Sequence, residues 1–225
     1  MKWYVPGAFF ALACVLNLVG CIDNDALAQA VKPTLLPLLA VTTLAFLLGK
    51  DGVDRKGATL LVTAQLLGCT GDVLLIPSRF WFFAGGMGAF LAGHVCYMCL
   101  FGGRSWKGIS LHVWAGAVFV MIVLVRVLLW AIGAEGDLSG PMFVYGMGLM
   151  MLIFSGLAGV VKGGGTTWWI ILCGALLFTF SDALIAMNTF GMALFEARHF
   201  VVMLTYLAAQ SLLAVGGVRL ILGRR

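Results

Sequence analysis

The sequence predicts an all-α fold, a polytopic transmembrane bundle of eight helices, and three observations predict it. Hydrophobic residues make up 62 % of the 225 and charged residues only 10 %. Mean hydropathy is +1.08. Apolar runs of about 20 residues recur along the chain, the length that crosses a bilayer as a helix. No soluble domain needs that much apolar surface. The runs cover 3–22, 33–49, 57–77, 80–102, 109–133, 139–161, 167–188 and 198–222. Their connections are too short to hold a separate soluble domain, so residues 1–225 read as a single integral membrane domain.

Span 1 follows Lys2 and contains Leu18-Val19-Gly20-Cys21, which looks like a lipoprotein signal ending at a lipidated cysteine. Its removal would leave an odd number of spans, so the run is read as a retained helix, with Asn17 as its polar residue. Span 2 opens on Lys32-Pro33, where the lysine either snorkels to solvent or meets a phosphate headgroup. Span 3 carries Asp72 on the same helical face as Gln65 and Gly68. Span 4 repeats small residues every four positions, Gly85-Ala89-Gly93 and Gly88-Ala92, a stripe that lets helix backbones approach closely. It also presents His94 and Tyr97 three residues apart on one face. His94, near the middle of the bilayer, either donates into a site or bridges two helices. Cys96 and Cys99 form the chain's one C-x-x-C; with no second such pair, the two read as small packed thiols.

Beyond Ser110 and His112 at its start, span 5 is apolar except for Arg126, placed to snorkel outward or to pair with a carboxylate or lipid phosphate. Span 6 contributes Tyr145, and span 7 carries Asp182 with Ala175 and Thr179 on its face. Span 8 places Tyr206 and Gln210 four residues apart, with the tyrosine roughly 12 Å into the helix, deeper than an interfacial belt residue.

Lys and Arg set the expected orientation. Lys2, Lys50, Arg55, Lys56, Arg104, Lys107, Lys162, Arg219, Arg224 and Arg225 fall at one set of span ends. Lys32, Arg79 and Arg198 fall at the other, beside Asp23, Asp25, Glu135, Asp137 and Glu196. Both termini are therefore expected in the cytoplasm, of a bacterial inner (cell) membrane. The net charge of +5 follows from this bias and from attraction to anionic lipid, and calls for no nucleic-acid partner.

Asp72 and Asp182 stand 110 residues apart in similar apolar contexts, LLGCTGDVLLI and LLFTFSDALIA. Shifting the chain by that amount lays spans 1–4 on spans 5–8, which predicts two parallel-repeat halves, 1–108 and 109–225. A carboxylate inside a bilayer helix costs about 2.5–3.5 kcal/mol on insertion scales. Interhelical hydrogen bonds repay only about 0.6–2 kcal/mol. Structural glue is the plainer reading of the pair, but that balance favours function. Two carboxyls in one low-dielectric cavity share a proton, which divides them into an acid and a base. No G-x-S-x-G is present, and three histidines at three depths do not converge on a metal, so neither serine nor zinc hydrolysis is expected.

Lys32-Pro33, Gly71-Asp72, Gly88…His94-x-x-Tyr97, Gly174-Ala175…Ser181-Asp182 and Tyr206-x-x-x-Gln210, in that order and spacing, resemble the YhhN-like lysoplasmalogenase family of membrane proteins. The resemblance implies hydrolysis of the vinyl ether bond of a lysophospholipid substrate. The products would be a fatty aldehyde and a glycerophospho-ethanolamine or -choline, and no metal or organic cofactor is implied. Asp72 and Asp182 would then be catalytic. Lys32, His94, Tyr97, Tyr145, Tyr206, Gln210, Asn17 and Arg126 would contact substrate. Such a bond is cleaved by protonation at carbon followed by attack of water, chemistry that suits an acid and a base. The alternative is a proton-coupled carrier of a lipid or small molecule, since intramembrane carboxylates also relay protons.

Overall fold

A computed structural model describes residues 2–77, 79–134, 136–192 and 195–223. Glu135, Arg224 and Arg225, three of the charges used above for orientation, lie outside the described residues. The chain forms α1 (Tyr4–Asp23), α2 (Asp25–Leu47), α3 (Arg55–Leu74), α4 (Phe80–Ser105), α5 (Leu111–Ala131), α6 (Ser139–Val161), α7 (Thr166–Thr189) and α8 (Arg198–Ile221). A 3-10 turn, Gly136–Leu138, precedes α6. All eight helices are long and apolar enough to cross a membrane, and the described residues contain no strand.

Two boundaries differ from expectation, each for a local reason. Residues 23–32 were expected as a loop, yet α2 already begins at Asp25. Asn24 caps it by accepting the Leu27 N–H, and Asp25 sits favourably in the first turn. Lys32 and Pro33 therefore lie inside α2 rather than at its mouth. Pro37 has no N–H to give the carbonyl of Pro33; the Cys69 thiol of α3 donates to that carbonyl at 3.4 Å instead. In turn, α3 ends at Leu74 rather than 77. Pro77 cannot donate to the carbonyl of Val73 and disfavours helical geometry at Ile76. Asp72 thus falls in the last turn of α3, at the negative end of the helix dipole, where a carboxylate needs a partner from elsewhere.

The packed pairs are α1–α2, α2–α3, α3–α4 and, further along, α5–α6, α6–α7, α7–α8, with α4 against α6. Helix α8 also meets α1, α2 and α3, so it closes the bundle across its middle. Close approach follows small residues. A Cβ on Gly20 would meet the backbone of Ala28 at 2.6 Å, so the lipoprotein-like turn of α1 is packed against α2. One on Gly174 would meet the Ala209 carbonyl at 3.2 Å, fixing α7 on α8. In α4 the expected stripe is half right: a Cβ on Gly93 would meet the Ala64 carbonyl at 3.2 Å and one on Gly85 would touch Leu74, but one on Gly88 would meet nothing within 4 Å among the described residues.

The basic end is tied by polar contacts. Asp54 caps α3 through the Gly57 N–H and accepts from Arg104 of α4. Lys162 donates to the carbonyls of Ser105 and Lys107. Helix α5 is the outlier: among the described residues α6 is its main helix partner, with Trp114 against Trp106 at the end of α4, and it buries only Met121 and Val125.

Candidate functional site

The polar groups gather toward the opposite end of the bundle, where α2, α4, α6 and α8 begin and α3 and α7 end. Asp72 is 2 % exposed. Its Oδ2 accepts a hydrogen bond from the Tyr206 hydroxyl at 2.7 Å, and its Oδ1 lies 3.5 Å from Lys32 Nζ. Lys32 and Tyr206 come from α2 and α8, the two helices that flank the end of α3. They supply the cation and donor that the dipole position demands. Behind Tyr206, the Gln210 amide donates to the tyrosine oxygen at 3.4 Å, and Tyr97 donates to Gln210 Oε1 at 2.9 Å. Every donor in this chain points toward Asp72.

Asp182 sits seven residues before the end of α7 and accepts from the Tyr145 hydroxyl of α6. It is only partly buried, because it lines a cavity. Asp72, Asp182 and Lys32 lie within electrostatic reach of one another. The two carboxylates are not placed alike: one is held by a lysine and a phenol, the other by a phenol alone.

Between them stands an aromatic partition. Phe178 packs edge-on against Tyr206 at 5.5 Å and against His94 at 4.7 Å between ring centroids. Phe90 meets both Phe178 and Tyr206, and His94 lies 5.6 Å from Tyr145. Both His94 nitrogens are buried without a hydrogen-bond partner among the described residues. Gly71 exists for this partition: a Cβ there would meet the Phe90 ring at 2.6 Å.

Two cavities adjoin the site, where a single cavity shared by both carboxyls was expected. The larger, about 640 Å³, opens at the bundle end and is lined by Lys32, Arg79, Arg198, His199, Asn17 and Asp25 among others. The smaller, about 230 Å³, is almost wholly apolar, with Asp182 and Tyr145 as its polar lining together with Thr179. Leu75, Phe83 and Ile185 line both. Asp72 lines neither, but its partner Lys32 reaches the first.

Of the residues singled out in the sequence, Lys32, Asp72, Tyr206, Gln210 and Tyr97 join one network, and Asp182, Tyr145 and His94 stand beside it. Asn17 is buried and spends its amide N–H on the Ala28 carbonyl at 2.9 Å, while still lining the larger cavity. Arg126 is not brought in. It lies exposed on α5 with its guanidinium 6.0 Å from the Phe143 ring, lines a separate cavity with Gly133 and Ser139, and forms no ion pair with either carboxylate among the described residues. Arg79, Arg198 and His199 were counted only as topology charges or isolated side chains, although they ring the larger cavity. Their position at helix starts on the sparsely charged side was the available signal. Phe90 and Phe178 carried none, being two of 16 phenylalanines. Among the described residues, no three His, Cys, Asp or Glu side chains are grouped to hold a metal.

Comparison with known proteins adds the following. Residues 27–217 match the model of the YhhN family. The chain is 32 % identical over 222 residues to lysoplasmalogenase TMEM86B of Homo sapiens, covering 97 % of this chain and 87 % of that protein. It is 30 % identical over 194 residues to the lysoplasmalogenase of Mycobacterium tuberculosis (strain CDC 1551 / Oshkosh), covering 84 % of this chain and 70 % of the relative. No solved structure matches.

Proposed function

From the chain's membership of the YhhN family and from the paired carboxylates, we propose that this integral membrane protein is a hydrolase of the vinyl ether bond of lysoplasmalogens. The observation that carries the chemistry is the unlike placement of Asp72 and Asp182. Asp72, beside Lys32 and Tyr206, is held as a carboxylate. Asp182, at the wall of the apolar cavity, is the acid that meets the alkenyl chain.

In the first step the Asp182 carboxyl gives its proton to the alkenyl carbon remote from oxygen, leaving an oxocarbenium ion at the carbon that bears it. For the Asp72 carboxylate to steady that cation and take a proton from water as the water oxygen bonds to the cationic carbon, substrate entry must displace the aromatic rings that stand between the two carboxyls. The resulting hemiacetal breaks its bond to the glycerol oxygen, which leaves as a hydroxyl, and the other fragment becomes a fatty aldehyde. In that collapse Asp72 returns its proton to the glycerol oxygen and Asp182 regains one from the hemiacetal hydroxyl, so one water is consumed and both carboxyls end as they began. Tyr145 orients Asp182, and the Phe90–Phe178 partition keeps bulk water from the chain. Arg126 plays no part in this scheme, because it pairs with neither carboxylate among the described residues.

Two further readings are ours as well. The lysine and arginine bias places both termini in the cytoplasm, in a bacterial inner membrane, with the larger cavity opening to the other side. The neighbour pattern of α1–α4 and α5–α8 is compatible with two repeated halves, although α8 crosses between them.

The test is aldehyde release from a lysoplasmalogen by the purified protein, with the saturated ether analogue left intact. That analogue lacks the carbon whose protonation starts the reaction. Asp72→Asn and Asp182→Asn should each lower the rate by about 10²–10⁴, the worth of a positioned acid or base. Full activity in both variants would overturn the mechanism.

A further inference from the structure

The larger cavity holds a combination of charges that the reaction itself does not use. Arg198, in the first turn of α8, has its Nε buried without a hydrogen-bond partner among the described residues. Arg79, at the start of α4, and His199 line the same cavity. Lys32 lines it too, but its ammonium is already paired with Asp72. Asn17, 1 % exposed, also lines it, and its Oδ1 is a buried acceptor with no partner among the described residues. Asp25, exposed in the first turn of α2, is the only carboxylate among the described lining residues. A buried donor and a buried acceptor left open in one cleft each carry a desolvation cost. A ligand that is anionic at one point and donates a hydrogen bond at another would relieve both.

We propose that this cleft is a lysophospholipid headgroup site. Arg198 and Arg79 hold the phosphodiester, Asn17 Oδ1 accepts from the glycerol hydroxyl that a lyso lipid leaves free, and Asp25 faces the amine. The assignment rests on the reading above for the identity of the lipid and goes beyond it in naming what is recognised. Arginine suits the role because its planar fork matches phosphate oxygens. The cleft also adjoins the apolar cavity at Leu75, Phe83 and Ile185, so a headgroup in one leaves its chain facing the other. Because the Lys32 ammonium is committed to Asp72, phosphate binding at the arginines leaves the carboxylate's partner in place.

The experiment measures binding rather than turnover. The full chain in lipid nanodiscs is titrated with a saturated-ether lysophosphoethanolamine, which the proposed reaction does not cleave, and with the corresponding alkylglycerol, which has no phosphate. The phospholipid should bind about tenfold or more tightly than the alkylglycerol, as expected for charge-assisted hydrogen bonds. Arg198→Gln and Arg79→Gln should each erase most of that preference and leave alkylglycerol binding unchanged. Methylation of the free glycerol hydroxyl should weaken binding to the wild type about fivefold or more, since it leaves Asn17 Oδ1 unsatisfied. Equal binding of the two lipids, or a preference that survives in both variants, would overturn the site. So would loss of both affinities together in Arg79→Gln, whose side chain is exposed. Absence of aldehyde from the vinyl ether lipid, with headgroup binding intact, would fail the hydrolase reading and leave this site standing.

Discussion

Removing one oxygen atom tests the network around Asp72. In Tyr206→Phe the ring keeps its contacts with Phe90 and Phe178, centred 6.0 and 5.5 Å away, so the partition is preserved. What is lost is the 2.7 Å hydrogen bond to Asp72 and the 3.4 Å bond from Gln210. The second is long and contributes little. The first, to a charged acceptor, is worth about 1.5–3 kcal/mol. If Asp72 acts as a carboxylate while positive charge develops on the substrate, that bond fixes its orientation in the transition state. At 1.36 kcal/mol per decade, kcat/KM for aldehyde release should fall by up to about 150-fold. The variant should also unfold at a somewhat lower temperature in detergent, because the same buried bond is lost from the folded ground state. The same change made in Asp72→Asn should cost less than about threefold, because the two groups act as one. Wild-type turnover in Tyr206→Phe, or equal losses in the two backgrounds, would refute the assignment of Tyr206 as the positioning residue for Asp72.

Two other outcomes follow from packing and charge. Gly71→Ala drives a methyl group into the Phe90 ring at 2.6 Å; overpacking of this kind costs about 1–3 kcal/mol. A lowered thermal midpoint together with lowered aldehyde release checks it, since Phe90 also supports Tyr206. At the basic end, the Gly57 N–H, and then Arg104, hold the Asp54 carboxyl below its ordinary value. Its stabilising contribution is therefore complete above the unfolded-state value of about 3.9 and is lost as pH falls through the lower folded value. The gap in thermal midpoint between wild type and Asp54→Ala should be constant from about pH 7 to 5 and close under stronger acid.

The helices were legible because a bilayer leaves the chain little choice: every backbone group must be satisfied within the span, and eight apolar runs give eight helices. Asp72 and Asp182 were legible for the same reason, as exceptions to an expensive rule. Tyr206 and Gln210 could be placed on one face by their spacing, and they do meet. Their joint partner could not be read, since Tyr206 reaches Asp72 across 134 residues of chain. The shift of 110 residues predicts like surroundings for like aspartates, but Tyr206 lies in the opposite half from Asp72 whereas Tyr145 lies in the same half as Asp182. Lys32 was read as a headgroup contact because Pro33 beside it resembles a helix start. Asn24 moves that start back by two turns and turns the lysine toward Asp72. Arg79 and Arg198 were hidden by their other role, for a charge that sets topology and one that lines a cleft look the same in a sequence.

Helix α5 supplies Val125, Leu128, Leu129, Ala131 and Ile132 to the wall of the apolar cavity, yet α6 is its one extensive helix partner among the described residues. Most of its surface is offered to whatever surrounds the protein, and in a membrane that is acyl chain. The cavity is therefore completed from outside. Lipids pressed against α5 would then bear on how readily it yields sideways, which would make the order and thickness of the host bilayer part of the enzyme's specificity. A long-chain substrate already dissolved in the leaflet can slip past a helix that little else restrains, without crossing water. The same protein transferred between fluid and rigid membranes would discriminate among chain lengths differently, with no residue changed.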